Sequence, residues 1–305
     1  MYKKASFFKR YKQQLPLQMM VIPGILFMIV FTYIPIYGIV VAFKSFTVTD
    51  TIASAPWVGL ENFRIAFTDP FFWSAVKNTL AISFLKLLIG FTSPILLAIL
   101  IFELRAGLFK RSVQTISYLP HFLSWIVVGG MLTSWLSTTG LLNSFLMMIG
   151  IISEPINFLV EPSNYWMIAV LSDVWKSVGW GTIIYLATMS SIDPTYYEAA
   201  KIDGATKLQQ IWHITLPLMS FIIALMFVLA VGGLLGSNLD QTLVLINPLN
   251  ASRAEVIDSY VFKIGLVQGD FSYATAVGLA ISIVSLILVI ITHKITKKLN
   301  NRSIF

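Results

Sequence analysis

The sequence predicts an all-α integral membrane protein of six transmembrane helices, and three observations carry that reading. Of its 305 residues 57% are hydrophobic and only 11% charged, with a mean hydropathy of +0.81, whereas soluble domains carry about a quarter charged residues. Six apolar stretches reach the roughly twenty residues that a helical crossing needs: about 17–43, 78–102, 114–138, 165–189, 218–237 and 272–292. Basic residues, finally, fall unevenly on the segments between them. The N-terminal tail, the loop after the second stretch, the polar segment 190–217 and the C-terminal tail hold fourteen, while the alternate set (Lys44, Arg64, Lys77, Arg253, Lys263) holds five. By the positive-inside rule both termini and residues 190–217 are cytoplasmic. The chain is thus read as a basic tail over 1–16, one six-helix transmembrane domain over 17–292 and a second basic tail over 293–305.

Taken in order, the tail with Lys3, Lys4, Lys9, Arg10 and Lys12 resembles the basic region of a signal peptide. The apolar run that follows is too long for one and lacks a small-residue cleavage site, so it is a retained first span. Residues 44–77 are dense in aromatics (Trp57, Phe63, Phe71, Phe72, Trp73), which suits a short helix lying at the membrane interface. Residues 140–152 are apolar but too short to cross and are broken by Asn143 and Ser144; an interfacial or a re-entrant segment fits them better. A seventh crossing there would strand the C-terminal basic cluster (Lys294, Lys297, Lys298, Arg302) outside. The net charge of +7 points to anionic lipid at the cytoplasmic face, not to nucleic acid. With no cysteine and only His121, His213 and His293, scattered, neither thiolate chemistry nor a histidine metal cluster is expected.

The polar segment is punctuated as two short helices. Asp193 is a good N-cap and Pro194 suits the first helical position. Gly204 is placed for a left-handed C-cap, Thr206 and Gln209 form a capping-box pattern, and Pro217 marks the start of the next element. Within it stand Glu198-Ala199-Ala200, then Asp203-Gly204-Ala205, then Leu216-Pro217. This spacing resembles the signature of permease subunits in binding-protein-dependent ABC importers, and the chain is identified on it as a member of that family. Gly59-Leu60, Asn62-Phe63, Asn78-Thr79, Tyr118-Leu119-Pro120 and Val256-Ile257-Asp258 are similar to the carbohydrate subclass, most of all its polysaccharide and oligosaccharide permeases.

The resemblance implies a type I importer permease fold in the cell membrane. It also implies four kinds of partner: a second permease subunit, a cytoplasmic ATPase dimer, an extracytoplasmic solute-binding protein of the lipoprotein kind, and an oligosaccharide. It makes Glu198, Ala199, Ala200, Asp203, Gly204, Ala205, Leu216 and Pro217 the ATPase-coupling residues. No phosphate-binding G-x-x-x-x-G-K-[ST] loop occurs, so ATP and Mg are expected on a separate chain, with no cofactor or metal in this one and no catalytic residue. The alternatives are the same machine carrying a non-sugar solute or, from another class, a secondary transporter; the latter would show coupling acids in several spans.

Ionisable residues at membrane depth usually face a cavity or a partner. Asp173 and Lys176 are three apart on the fourth span, on one helical face where they can neutralise each other, with Trp175, Trp180 and Tyr185 nearby. Similarity to the maltose permease places substrate-lining positions at Asp173, Ser177 and Trp180. After the glycines that close the fifth span, Ser237, Asn238, Asp240 and Gln241 fall near another lining segment. The substrate-path candidates are therefore Asp173, Lys176, Ser177, Trp180, Ser237, Asn238, Asp240 and Gln241. A structural ion pair with packing aromatics, and a span that simply ends at 237, fit the same residues. Lys86 is read as snorkelling or paired within the bundle, and His121 as a packing or cavity residue.

Overall fold

The computed structural model describes residues 7–236 and 238–300, and helices dominate them. Lys3, Lys4 and Arg302 of the tails, and Ser237, lie outside the described residues. Among the described residues four helices are long and apolar enough to cross a membrane: Leu17–Phe43, Pro70–Glu103, Lys207–Gly232 and Phe271–Lys298. A bent pair, Leu108–Phe122 and Trp125–Trp135, adds a fifth if it counts as one crossing. Pro162–Ser190 has the length, 29 residues, but Ser172, Asp173, Lys176 and Ser177 dilute its apolar character.

Two compact units are present. The first takes in the chain up to Ala66 and Ile264–Leu279. Its Leu17–Phe43 helix exposes apolar side chains along its length, Met20 at 78% and Phe31 at 65%. A helix apolar all round and bare in the isolated chain is covered by lipid or another subunit. After it, Asn62 is buried and its side-chain amide donates to the carbonyls of Ala42 (2.8 Å) and Lys44 (3.0 Å), tying the loop to the helix end. In the same unit the Ser272 hydroxyl accepts from the Phe46 amide at 2.8 Å.

The second unit comprises Phe67–Lys263 and the chain from Ala280. Asp69 caps Pro70–Glu103 by accepting from the Phe71 amide at 2.8 Å, so this helix begins about eight residues before the apolar stretch that the sequence marks. It runs in the same direction as Pro162–Ser190. Ile82 packs with Ala169 and Val170 at one end, Gly90 lies 3.6 Å from Val174, and Ile95 and Ala98 pack with Tyr185 and Met189 at the other. Buried asparagines stitch the long connections: Asn143 bonds Ser137 and Ile156, Asn78 bonds Ser252 and Glu255, and Asn250 bonds Leu159 and Leu245. Each satisfies backbone carbonyls that a loop would otherwise bury without partners. The apolar segment 140–152 contains only the eight-residue helix Leu141–Met148.

Three departures from the sequence reading have local causes. The stretch 114–138 is not one straight helix; it tightens over Leu119–Phe122 and turns by 101° before Trp125. Pro120 removes a backbone donor there, and Ser124 restarts the chain as an N-cap, accepting from the Val127 amide at 3.3 Å. Pro217 does not begin a new element, because the helix is continuous from Lys207 to Gly232. A widened π turn at Ile211–Thr215 absorbs the hydrogen bond that the proline cannot make. Similar turns, Ile29–Tyr33 and Lys86–Gly90, precede Pro35 and Pro94. The third departure, in the pairing of Asp173, belongs to the site.

Candidate functional site: a cavity and a cytoplasmic helix pair

A cavity of about 750 Å³ opens in the second unit between Pro70–Glu103, Pro162–Ser190 and the end of Lys207–Gly232. Its walls include Phe91, Trp180, Ile184, Tyr185 and Met226 with the backbone of Gly233 and Gly236. The helix ends at Gly232 and the chain turns over Gly233–Leu235 before a new short helix, Leu239–Leu245. A break beside a cavity is tolerated because the freed backbone groups do not face lipid.

Asp173, Ser177 and Trp180 line this cavity, one turn apart on one face. Lys176 does not. Its ammonium donates to the His121 carbonyl at 2.7 Å and sits 5.6 Å from the Trp125 ring centre. The expected neutralisation of Asp173 by Lys176 is thus corrected: Lys176 serves the bend, supplying a donor to a carbonyl that the broken helix leaves open. Asp173 instead pairs with Lys86 across 87 residues of sequence, Nζ to Oδ2 at 3.4 Å, and its Oδ1 accepts from the Asn238 amide at 3.3 Å. The i, i+3 rule failed because neighbours on one face still choose partners from other helices.

Of the later candidates, Gln241 is 2% exposed and fully engaged. It accepts from Lys86 at 3.1 Å and donates to the Ala169 carbonyl (2.7 Å) and the Ser172 hydroxyl (2.9 Å). It acts as an anchor, while Asp240 is exposed and lies off the cavity. Sequence reasoning missed Lys86 as a cavity residue; the signal was a second ionisable group of opposite sign at similar depth. His121 packs as read: its ring stacks on Trp180 at 4.6 Å and 3°, fixing the indole's orientation.

The helix pair after Ser190 is built as its caps dictate. Asp193 accepts from the Thr195 amide at 2.9 Å, and this contact with the backbone and side chain of Thr195 holds its carboxyl below the ordinary 3.8. Pro194–Ile202 ends in a full Schellman motif. The Ala205 amide donates to the Ala200 carbonyl (2.8 Å) and that of Gly204 to Lys201 (3.1 Å), with Gly204 at φ +77°. Thr206 and Gln209 close the capping box. The Tyr197 and Thr215 hydroxyls meet at 3.0 Å, and Lys207 reaches Glu103 at 2.6 Å, tying the pair to Pro70–Glu103. Glu198, Ala199, Asp203, Gly204 and Pro217 are exposed, while Ala200, Ala205 and Leu216 are half-buried. Ile202 (86%), Leu208 (64%) and Trp212 (62%) present apolar surface beside them.

A chain of this kind, with long apolar helices around a cavity and a rigid polar helix pair at one end, belongs among multispan transport permeases. The comparisons with known proteins specify which. Residues 90–302 match the family described as binding-protein-dependent transport system inner membrane component, and the chain belongs to that family. It is 42% identical over 293 residues to the polygalacturonan/rhamnogalacturonan transport system permease protein YteP of Bacillus subtilis (strain 168), covering 96% of this chain and 91% of that protein. It is 36% identical to Protein LplB of the same organism, covering 95% and 91%. Among solved structures, a bacterial alginate ABC transporter in complex with an alginate pentasaccharide-bound periplasmic protein aligns with a TM-score of 0.89 and 34% identity, covering 98% of this chain and all of that one. The chain is a membrane permease, not an enzyme.

Proposed function

We propose that this chain translocates an oligosaccharide, handed over by an extracytoplasmic solute-binding protein, through a path formed with a second permease subunit and driven by ATP hydrolysed on a separate ATPase pair. In this reading the chain crosses the membrane six times with both termini cytoplasmic. Pro162–Ser190 and the bent pair each count as one crossing, and residues 190–217 face the ATPase. The polysaccharides after which YteP and the alginate transporter are named support a saccharide cargo. So does a cavity that combines indole and phenol rings with a carboxylate and a hydroxyl.

The observation that carries the proposal is the continuity of Lys207–Gly232, 26 residues, or about 39 Å at 1.5 Å per residue. One rod runs from the capped helix pair to Gly233 and Leu234 at the cavity wall. Force applied at Leu208 and Trp212 enters this rod directly, with the π turn at Ile211–Thr215 as its softer joint, and force at Ile202 reaches it through the Gly204 turn. Glu198 contributes a charge-assisted contact to the ATPase, and Gly204 holds the turn that orients it. ATP and Mg are bound by the partner ATPase, and this chain supplies the lever and the path.

The test is copurification and uptake with Gly204→Pro. At φ +77° proline cannot be accommodated, so the helix pair is remodelled while the spans are untouched. The variant inserts in the membrane at wild-type levels but loses nearly all ATP-driven uptake; full uptake would remove the coupling role.

A further inference from the structure

Lys86 and Asp173 are the only charged residues among the described residues that line the cavity. Each is about one-quarter exposed or less, 21% and 25% by side chain, and a charge so withdrawn from water at membrane depth has a use or a partner. Their contact is loose. At 3.4 Å it is well beyond the 2.7–2.9 Å of a tight ammonium–carboxylate hydrogen bond. The two groups are held from behind by different amides. Gln241 accepts from Lys86 at 3.1 Å while its own amide nitrogen is spent on Ala169 and Ser172; Asn238 donates to the other oxygen of Asp173. An ammonium has three donors, and two are accounted for. Lys86 also opens the π turn Lys86–Gly90, a local widening of the kind often found at functional sites.

From this geometry we infer that Lys86 is a specificity-determining cation that receives a carboxylate of a uronate-bearing saccharide, with Asp173 as its counter-ion when the cavity is empty. The inference rests on the saccharide-import reading above and narrows its substrate class. A uronate residue displays a carboxylate beside ring hydroxyls. Lys86 takes the carboxylate with its third donor, and Asp173, still held by Asn238, accepts from the hydroxyls. Trp180, braced by His121, offers its other face to the pyranose ring. A neutral sugar satisfies Asp173 but gives nothing to Lys86.

The test uses the complete transporter, with its binding protein, in proteoliposomes loaded with ATP, and follows uptake of an oligogalacturonide. Lys86→Met alone would leave Asp173 unpaired, so the comparison pairs Lys86→Met/Asp173→Asn with Lys86→Arg/Asp173→Asn. The arginine variant is expected to retain uronide uptake within about threefold of Asp173→Asn. The methionine variant is expected to lose at least tenfold, with both variants inserting and assembling as Asp173→Asn does. Equal uptake by the two variants overturns the inference. Should the methionine variant fail to assemble, the chain's lack of cysteine allows a second route. Lys86→Cys/Asp173→Asn, with partner subunits made cysteine-free, is aminoethylated to restore a cation or methylthiolated to a neutral group of similar bulk. Recovery of uronide uptake only by the first supports the inference, and equal recovery overturns it. Wild-type uptake of neutral oligosaccharides without uronides would sink the inference and leave the saccharide reading intact; uptake of no saccharide would sink both.

Discussion

Gly179 gives the sharpest prediction about how the bundle is held. It sits mid-way along Pro162–Ser190 where the bent pair crosses. A Cβ added there would lie 1.9 Å from the Ser117 carbonyl oxygen and 2.3 Å from its carbon, both backbone. Ordinary contact begins near 3.4 Å, so Gly179→Ala requires the two helices to part by about 1.5 Å. Overpacking of this kind costs about 1–3 kcal/mol, and backbone that cannot swing aside puts it at the upper end. Alanine's advantage over glycine in a helix returns about 1 kcal/mol, leaving a net loss of about 2 kcal/mol. Gly130 is the control: it lies in Trp125–Trp135 with nothing within 4 Å of an added Cβ, so Gly130→Ala keeps or gains stability. The assay is thermal unfolding of the purified transporter in detergent, followed by size-exclusion fluorescence. The expected order is Gly130→Ala at or above wild type and Gly179→Ala below it, with uptake reduced because Ser177 and Trp180 move with the helix. A Gly179→Ala protein as stable as the control would refute the close-packing argument.

Two further outcomes follow from local geometry. Asn143 is 1% exposed and makes three hydrogen bonds of 2.7–2.8 Å to Ser137 and Ile156. Asn143→Ala strands three backbone groups at about 1–3 kcal/mol each, and limited proteolysis should open the 137–160 connection well before the spans unfold; an unchanged cleavage pattern would contradict this. The lowered carboxyl of Asp193 means that its cap is fully present above the ordinary pKa and is lost as pH falls through the lower folded value. Hydrogen exchange in 194–202, corrected for intrinsic rate, is expected to accelerate only below about pH 3.8, and Asp193→Ala should show the faster rate at neutral pH. A variant no faster than wild type there would leave the cap without effect.

What the sequence disclosed and what it hid divide by the range of the interaction. The caps at Asp193, Gly204 and Thr206 were legible because each is decided within six residues, and the structure places them as read. The glycines near 232–236 marked the end of the fifth span for the same reason. Asp173 was found but mispaired, since its partner, Lys86, is 87 positions away and only packing brings Pro70–Glu103 alongside. Gln241, read as a path residue, proved to be an anchor, because burial depends on the fold around it. The bend before Trp125 was signalled by Pro120, but proline alone does not say whether a helix kinks gently or turns by 101°. The proposal of six crossings rests also on Pro162–Ser190, whose Asp173 and Ser177 face the cavity.

The measurement that bears most directly on the whole account is uptake in proteoliposomes that contain this permease, its partner permease and their ATPase, with the binding protein added outside. The account predicts oligosaccharide accumulation that needs both internal ATP and loaded binding protein, is indifferent to ionophores that collapse ion gradients, and disappears in Gly204→Pro. Accumulation that persists without ATP and is abolished by the ionophores would contradict it.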